Sequence, residues 1–127
     1  MEKIIGIDVG LKRIGVAFSN GSVVVPLPAV IRKNRNQAAS EVDSFLKEWG
    51  VQKLVVGVPK GGASEDEMRR RIEHFVSLLE FCGDVIYQDE YGSSIEAKER
   101  MAGVVRQKKD GKIDSIAAQI ILERYLL

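Results

Sequence analysis

Asp8 closes an apolar, β-branched run, IIGIDVG, at a position where another aliphatic residue would be expected. A carboxylate placed there gives up solvation and stays ionised only with hydrogen bonds, a cation or a metal beside it. Further acids stand at comparable junctions: Asp89 and Glu90 follow the apolar run DVIYQ, and Asp114 opens KIDSIAAQIIL. Clustered carboxylates repel one another, and an oxygen-only donor set of this kind suits Mg²⁺ or Mn²⁺. Two such ions about 3.5 to 4 Å apart activate a water and stabilise the leaving oxygen of a phosphodiester. That chemistry has no need of a histidine base, so the solitary His74 is expected to be an ordinary surface or boundary residue.

The elements that must position these acids follow from pattern. Residues 3–9 and 12–19 are apolar on either side of a turn at Gly10-Leu11, and residues 22–31 follow Asn20-Gly21, a dipeptide favoured in tight hairpins. Three antiparallel strands are predicted, the third at a sheet edge because Pro26 and Pro28 each lack a ladder donor. A helix is predicted from Asn36 to Trp49 and closed by Gly50, with Ala39, Val42, Phe45 and Leu46 inward. KLVVGVP, residues 53–59, is the continuous apolar run of a strand buried on both faces. Ser64 with Glu67 forms a capping-box signature for a helix whose stripe runs from Met68 through Ile72, Phe75 and Leu79 to Cys82, ending at Gly83. On that stripe Cys82 is expected in the core. Residues 84–88 make a fifth strand, a Ser93-to-Glu96 capping box starts a third helix, residues 106–112 form a basic loop, and a last helix runs from Ile113 with Ile116, Ala117, Ile120 and Ile121 inward.

Strand–helix–strand units require right-handed crossovers. The order therefore predicts an α/β fold with a mixed five-stranded sheet, strands ordered 3-2-1-4-5, strands one, four and five parallel, and helices on both faces. Residues 1–127 are expected to form one domain. Ligands of such sheets collect at the carboxyl ends of the parallel strands. Asp8, the Asp89-Glu90 pair and Asp114 converge there, the last helped by the small Ala117 and Ala118, which let the helix approach the sheet. Taken alone, an aspartate in a first helical turn is ordinary dipole chemistry, and it is the convergence that points to a site. Lys12, Arg13 and Lys60 lie at the same end as candidate phosphate contacts, with Arg106, Lys108, Lys109 and Lys112 crowding the loop before Asp114. Arg69, Arg70 and Arg71 read as a solvated helix face.

Composition narrows the class. With 45% hydrophobic and 29% charged residues the chain is too apolar for disorder, and it contains no run long enough for a membrane span. The opening MEKIIGIDVG has no secretory-signal pattern, so a cytoplasmic address is expected. The single cysteine excludes an internal disulfide. Nineteen basic and 18 acidic residues give a net charge of +1, so nucleic-acid binding would have to come from local charge rather than a global field.

The motifs IGIDVGLKRIGVA, the central Pro26-Leu27, VVGVP, the acids Asp89-Glu90 and the terminal KIDSIAAQIILERYL together resemble the YqgF-type family, also called RuvX, of the ribonuclease H-like superfamily. The resemblance spans essentially the whole chain in order. It implies a ribonuclease H-like fold and a metal-dependent nuclease, associated with pre-16S rRNA processing and formerly with Holliday junction resolution. Carried onto this chain, it implies Asp8, Glu90 and Asp114 as the acidic triad. Where the family commonly has an arginine and two threonines after the acids, this chain has Tyr91, Ser93 and Ser94, and its loop after VVGVP reads KGGAS. The strand-D-x-G-strand opening also occurs in actin- and sugar-kinase-type ATPases, but those need two such folds around a cleft and this chain supplies one. A catalytically weak nucleic-acid-binding module is the remaining alternative.

Overall fold

Alternation along the first strand sorts the molecule into two halves. The computed structural model describes residues 2–59, 65–89, 93–101 and 111–127. The elements are β1 (Ile4–Val9), β2 (Arg13–Ser19), β3 (Val24–Ile31), α1 (Arg35–Glu48), β4 (Lys53–Val58), α2 (Glu65–Ser77), β5 (Asp84–Asp89), α3 (Ser93–Met101) and α4 (Lys112–Leu126). They form one five-stranded sheet in the order β3-β2-β1-β4-β5. β1 pairs antiparallel with β2 and parallel with β4, and β4 pairs parallel with β5. This is the predicted topology, with the proline-bearing β3 at an edge. No helix among the described residues is long and apolar enough to cross a membrane.

Ile5, Ile7 and Val9 point to one face, where Ile14, Val16, Leu54, Val56 and Val58 join Ala38, Val42 and Leu46 of α1 and Ile72 and Phe75 of α2 in the main core. Ile4, Ala17 and Val55 point to the other, against Ala118, Ile121 and Leu122 of α4. Ala117 and Ile120, on the far side of α4, pack on Ala97 of α3. Ala118 is thus the small residue toward the sheet, and Ala117 serves the helix pair.

The approach of α4 is set as much by the strand beneath it. A Cβ on Gly15 would lie 1.9 Å from the Asp114 carbonyl oxygen and 2.8 Å from the Ser115 nitrogen. Ser115 is buried here, and its Oγ accepts a hydrogen bond from the Val16 amide at 3.2 Å. At the same place the β2–β3 register shifts between Ile14 and Val16. Gly111, at φ +84, turns the chain into α4 against Ala29 of β3, a left-handed conformation that side-chain-bearing residues avoid.

Three local expectations change. The 20–23 connection is not a two-residue hairpin: Asn20 Oδ1 accepts from the Ser22 and Val23 amides, and Gly21 alone takes the positive φ. α1 begins earlier, at a capping box in which Asn34 Oδ1 accepts from the Gln37 amide at 2.8 Å. α2 stops at Ser77 rather than Gly83, because the Leu78 and Leu79 amides tighten onto the carbonyls of Phe75 and Val76 and the Asp43 carboxylate of α1 captures the Glu80 amide at 3.0 Å. Cys82 is consequently off the helical stripe and exposed, not in the core. The Glu96 carboxylate pairs with Arg100 and Arg124, tying α3 to α4, and the Ser93 side chain of the expected capping box lies outside the described residues. Ser64 lies outside the described residues.

Two substitutions test this packing. Gly15→Ala drives a methyl into helix backbone that cannot rotate away, so it is expected to cost about 3 kcal/mol, the upper end of overpacking penalties, in urea unfolding. Cys82→Ser is expected to stay within about 0.5 kcal/mol, as for an exposed residue, whereas a core cysteine would cost clearly more.

Candidate active site

Asp8 belongs to the row of β1 that faces α4, and it is half-buried. Its partner on β2 is Gly15, the residue over which α4 begins. Asp8 beside Gly15 within the sheet and Asp114 above Gly15 in the first turn of α4 are therefore neighbours, although they come from opposite ends of the chain. The missing side chain at residue 15 is what lets the two carboxylate-bearing backbones converge.

Arg13, two residues before Gly15 on the same strand face, donates from Nε to Asp114 Oδ2 at 2.9 Å, with the two side chains 33% and 28% exposed. A guanidinium thus supplies the counter-charge that crowded acids require. The positive end of α4 adds to it, since the first helical turn favours an anion.

On the other side of β1, Ile7 pairs with Val56, and the next residue of β4 is Gly57, which pairs with Gln88 of β5. Asp8, Gly57 and Gln88 hence share the α4 face, with the buried, side-chain-free Gly57 on the strand next to Asp8. Asp89 pairs with Val58, whose side chain is in the α1/α2 core, so Asp89 lies on the face away from Asp8. That removes Asp89 as an alternative to its neighbour in sequence. Glu90, Lys60 and Lys109, with Arg106 and Lys108, lie outside the described residues. Lys12, on the β1–β2 turn, and Lys112, at the start of α4, are exposed.

The donors brought together are carboxylate oxygens. His74 is on the α1/α2 side of the sheet and Cys82 follows the end of α2, so neither imidazole nor thiolate belongs to this corner. Among the described residues no set of three His, Cys, Asp or Glu side chains stands close enough to hold a metal ion. The pair Asp8 and Asp114 is a partial, oxygen-only set that fits Mg²⁺ or Mn²⁺ better than a softer ion.

Sequence reasoning missed two supporting residues. Ser115 carried a signal, since it sits three residues before Ala118 on the otherwise apolar, sheet-facing stripe of α4. Arg32 carried none: its Nη1 donates to the Gly10 carbonyl at 2.6 Å and fixes the turn that follows Asp8. Burial first, and the charge of Arg35 second, lower its pKa from the ordinary arginine value.

Comparison with known proteins agrees with this fold. The family model described as "RuvX: Holliday junction resolvase" matches residues 2–127. A Sulfurovum sp. (strain NBC37-1) protein named "Putative pre-16S rRNA nuclease" is 66% identical over 125 residues, covering 98% of each chain. A protein of the same name from Sulfurimonas denitrificans is 58% identical over 98% of this chain and 96% of its own. In fold, the chain resembles T. thermophilus RuvC, solved in complex with a Holliday junction substrate, with a TM-score of 0.60 at 10% identity over 98% of this chain and 94% of that one. The resemblance read from the motifs holds over the full length: the chain belongs to the RuvX family.

Proposed function

We propose that this chain is a metal-dependent nuclease that hydrolyses phosphodiester bonds in the 5′-end maturation of pre-16S rRNA in the cytoplasm. In this reading residues 1–127 act as one domain, and Asp8, Glu90 and Asp114 hold Mg²⁺ or Mn²⁺. The observation that carries it is the meeting of Asp8 and Asp114 across Gly15 in a member of the RuvX family. The names of the relatives supply the RNA substrate. Glu90 is taken as the third acid because it adjoins β5 and because Asp89 is turned to the other face.

The residues of the chain divide the work by charge. Asp8 and Asp114 concentrate negative charge at the mouth of the sheet, and a divalent ion bound there would lower the pKa of a water and stabilise the leaving oxygen. Arg13 balances Asp114 until a cation takes its place and frees the guanidinium for a phosphate. Lys12, Arg13, Lys60, Lys109 and Lys112 are assigned to the phosphates of the incoming strand, contacts that position the backbone without reading sequence. The description of the family model favours a second reading, cleavage of branched DNA. A labelled four-way junction assayed beside precursor RNA decides between them.

Two variants test the site. Asp8→Asn keeps size and removes charge, so Mn²⁺ binding by calorimetry should weaken, and cleavage of a precursor-like RNA should fall at least about 100- to 1,000-fold, the scale of a lost electrostatic stabiliser. Thermal unfolding of the same preparation separates this from a folding defect, because a structural Asp8 would lower stability and leave cleavage per folded molecule intact. Arg13→Gln removes a competitor for Asp114. A part-exposed ion pair is worth about 0.2 to 1 kcal/mol, so Mn²⁺ affinity should rise about 1.5- to 5-fold while RNA affinity falls. A decrease in Mn²⁺ affinity would show instead that Arg13 holds Asp114 in place.

A further inference from the structure

A second charged feature lies on the opposite side of β1. A groove of about 400 Å³ opens beside the β1–β2 turn, between that turn and α2, and it takes no part in the acidic site. Its floor is apolar, from Val9, Ile72 and Phe75, and its rim carries Arg32, Arg35, Arg70 and Arg71. Val9 belongs to the α1/α2 face and Asp8 to the α4 face, so the two features sit back to back on consecutive residues of one strand.

The rim is built rather than incidental. The Arg32 guanidinium is fixed at both ends, by its hydrogen bond to the Gly10 carbonyl and by stacking 5.3 Å above the Phe75 ring. Arg35 Nη1 lies 3.0 Å from His74 Nε2, and since a guanidinium only donates, the imidazole nitrogen accepts and holds the Arg35 side chain at the rim. Arg71 is paired with Glu67 at 2.7 Å, which makes Glu67 the carboxylate partner of a rim arginine among the described residues. Positive charge therefore exceeds negative in the groove, while the chain as a whole is balanced at +1. Burial and the nearby Arg35 both disfavour the Arg32 cation, a cost that a bound anion would relieve.

We propose that this groove binds the phosphates of a single-stranded nucleic acid that continues past the β1–β2 turn from the acidic site. The inference deepens the nuclease reading and rests on it for the identity of the strand. Position favours a strand over a small free anion. Gly10 lines the groove two residues from Asp8, about 7 Å at the rise of a strand, so the near end of the groove lies within a short run of one strand's phosphates from the acids. The turn between them presents Leu11, 67% exposed, and the exposed Lys12, an apolar surface for a base beside a charge for its phosphate. In the Arg69-Arg70-Arg71 run, Arg70 and Arg71 are exposed, as expected of a solvated face, and also line this rim.

The test is fluorescence anisotropy of a labelled single-stranded RNA with the full chain in EDTA, where no cleavage occurs, as a function of salt. Arg35→Ala/Arg70→Ala removes two rim charges, and Lys3→Ala/Lys47→Ala removes two charges away from both sites. The rim pair should bind about tenfold more weakly, with a salt slope shallower by about 0.7 for each phosphate that is no longer neutralised, and the control pair should behave as wild type. Arg70→Gln/Arg71→Gln gives the same readout should Arg35 be needed for folding, which thermal unfolding reports. Unchanged affinity and slope in the rim variants, or an equal loss in the control, overturns the groove. Cleavage in Mn²⁺ is measured in parallel: a chain that cleaves nothing yet shows the slope change keeps the groove and loses the nuclease reading. Normal cleavage by the wild type with no slope change in the rim variants does the reverse.

Discussion

The packing of the first turn of α4 on the backbone of Gly15 is the constraint on which the site depends. Any side chain at residue 15 would occupy the space of the Asp114 carbonyl, 1.9 Å from where its Cβ would stand. Close packing at this level admits no substitute, because interiors are filled to crystal-like density and the obstructing atoms are main chain. The same junction buries a hydroxyl, Ser115, whose desolvation is offset by the hydrogen bond from the Val16 amide. From this single approach follow the neighbourhood of Asp8 and Asp114 and the reach of Arg13 to the Asp114 carboxylate.

The two faces of β1 then separate opposite charges. Even-numbered residues of the strand lead to Asp8 and the α4 face, and odd-numbered ones lead through the main core to Val9 and the arginine-rimmed groove. The pleat sends Asp8 and the groove arginines to opposite sides of the sheet, so the guanidinium that meets the acids is Arg13, which lies on their own face. Arg32 joins the halves mechanically: it belongs to the basic side, yet its bond to the Gly10 carbonyl holds the turn that follows Asp8.

The departure of α2 from the sequence pattern has a tertiary cause. The stripe Phe75, Leu79, Cys82 has helical spacing, but the Asp43 carboxylate of α1 takes the Glu80 amide and the helix ends at Ser77. A partner from another element thus prevails over a local periodicity.

What the sequence by itself determined was the element order, the edge position of β3, the two-faced sheet, and Asp8 as an acid out of place in apolar surroundings with Asp114 directed to the same end of the sheet. These are legible because period, proline chemistry and crossover handedness are local or topological rules. What only the tertiary structure decided was which groups meet: that Gly15 admits α4, that Arg13 balances Asp114, that Asp89 turns away from Asp8, and that arginines of the β3–α1 segment and of α2 share one groove. None of these can be read from spacing, because each depends on the register of one strand against another and on the depth to which a helix packs, and both are set by the summed fit of residues far apart in the chain.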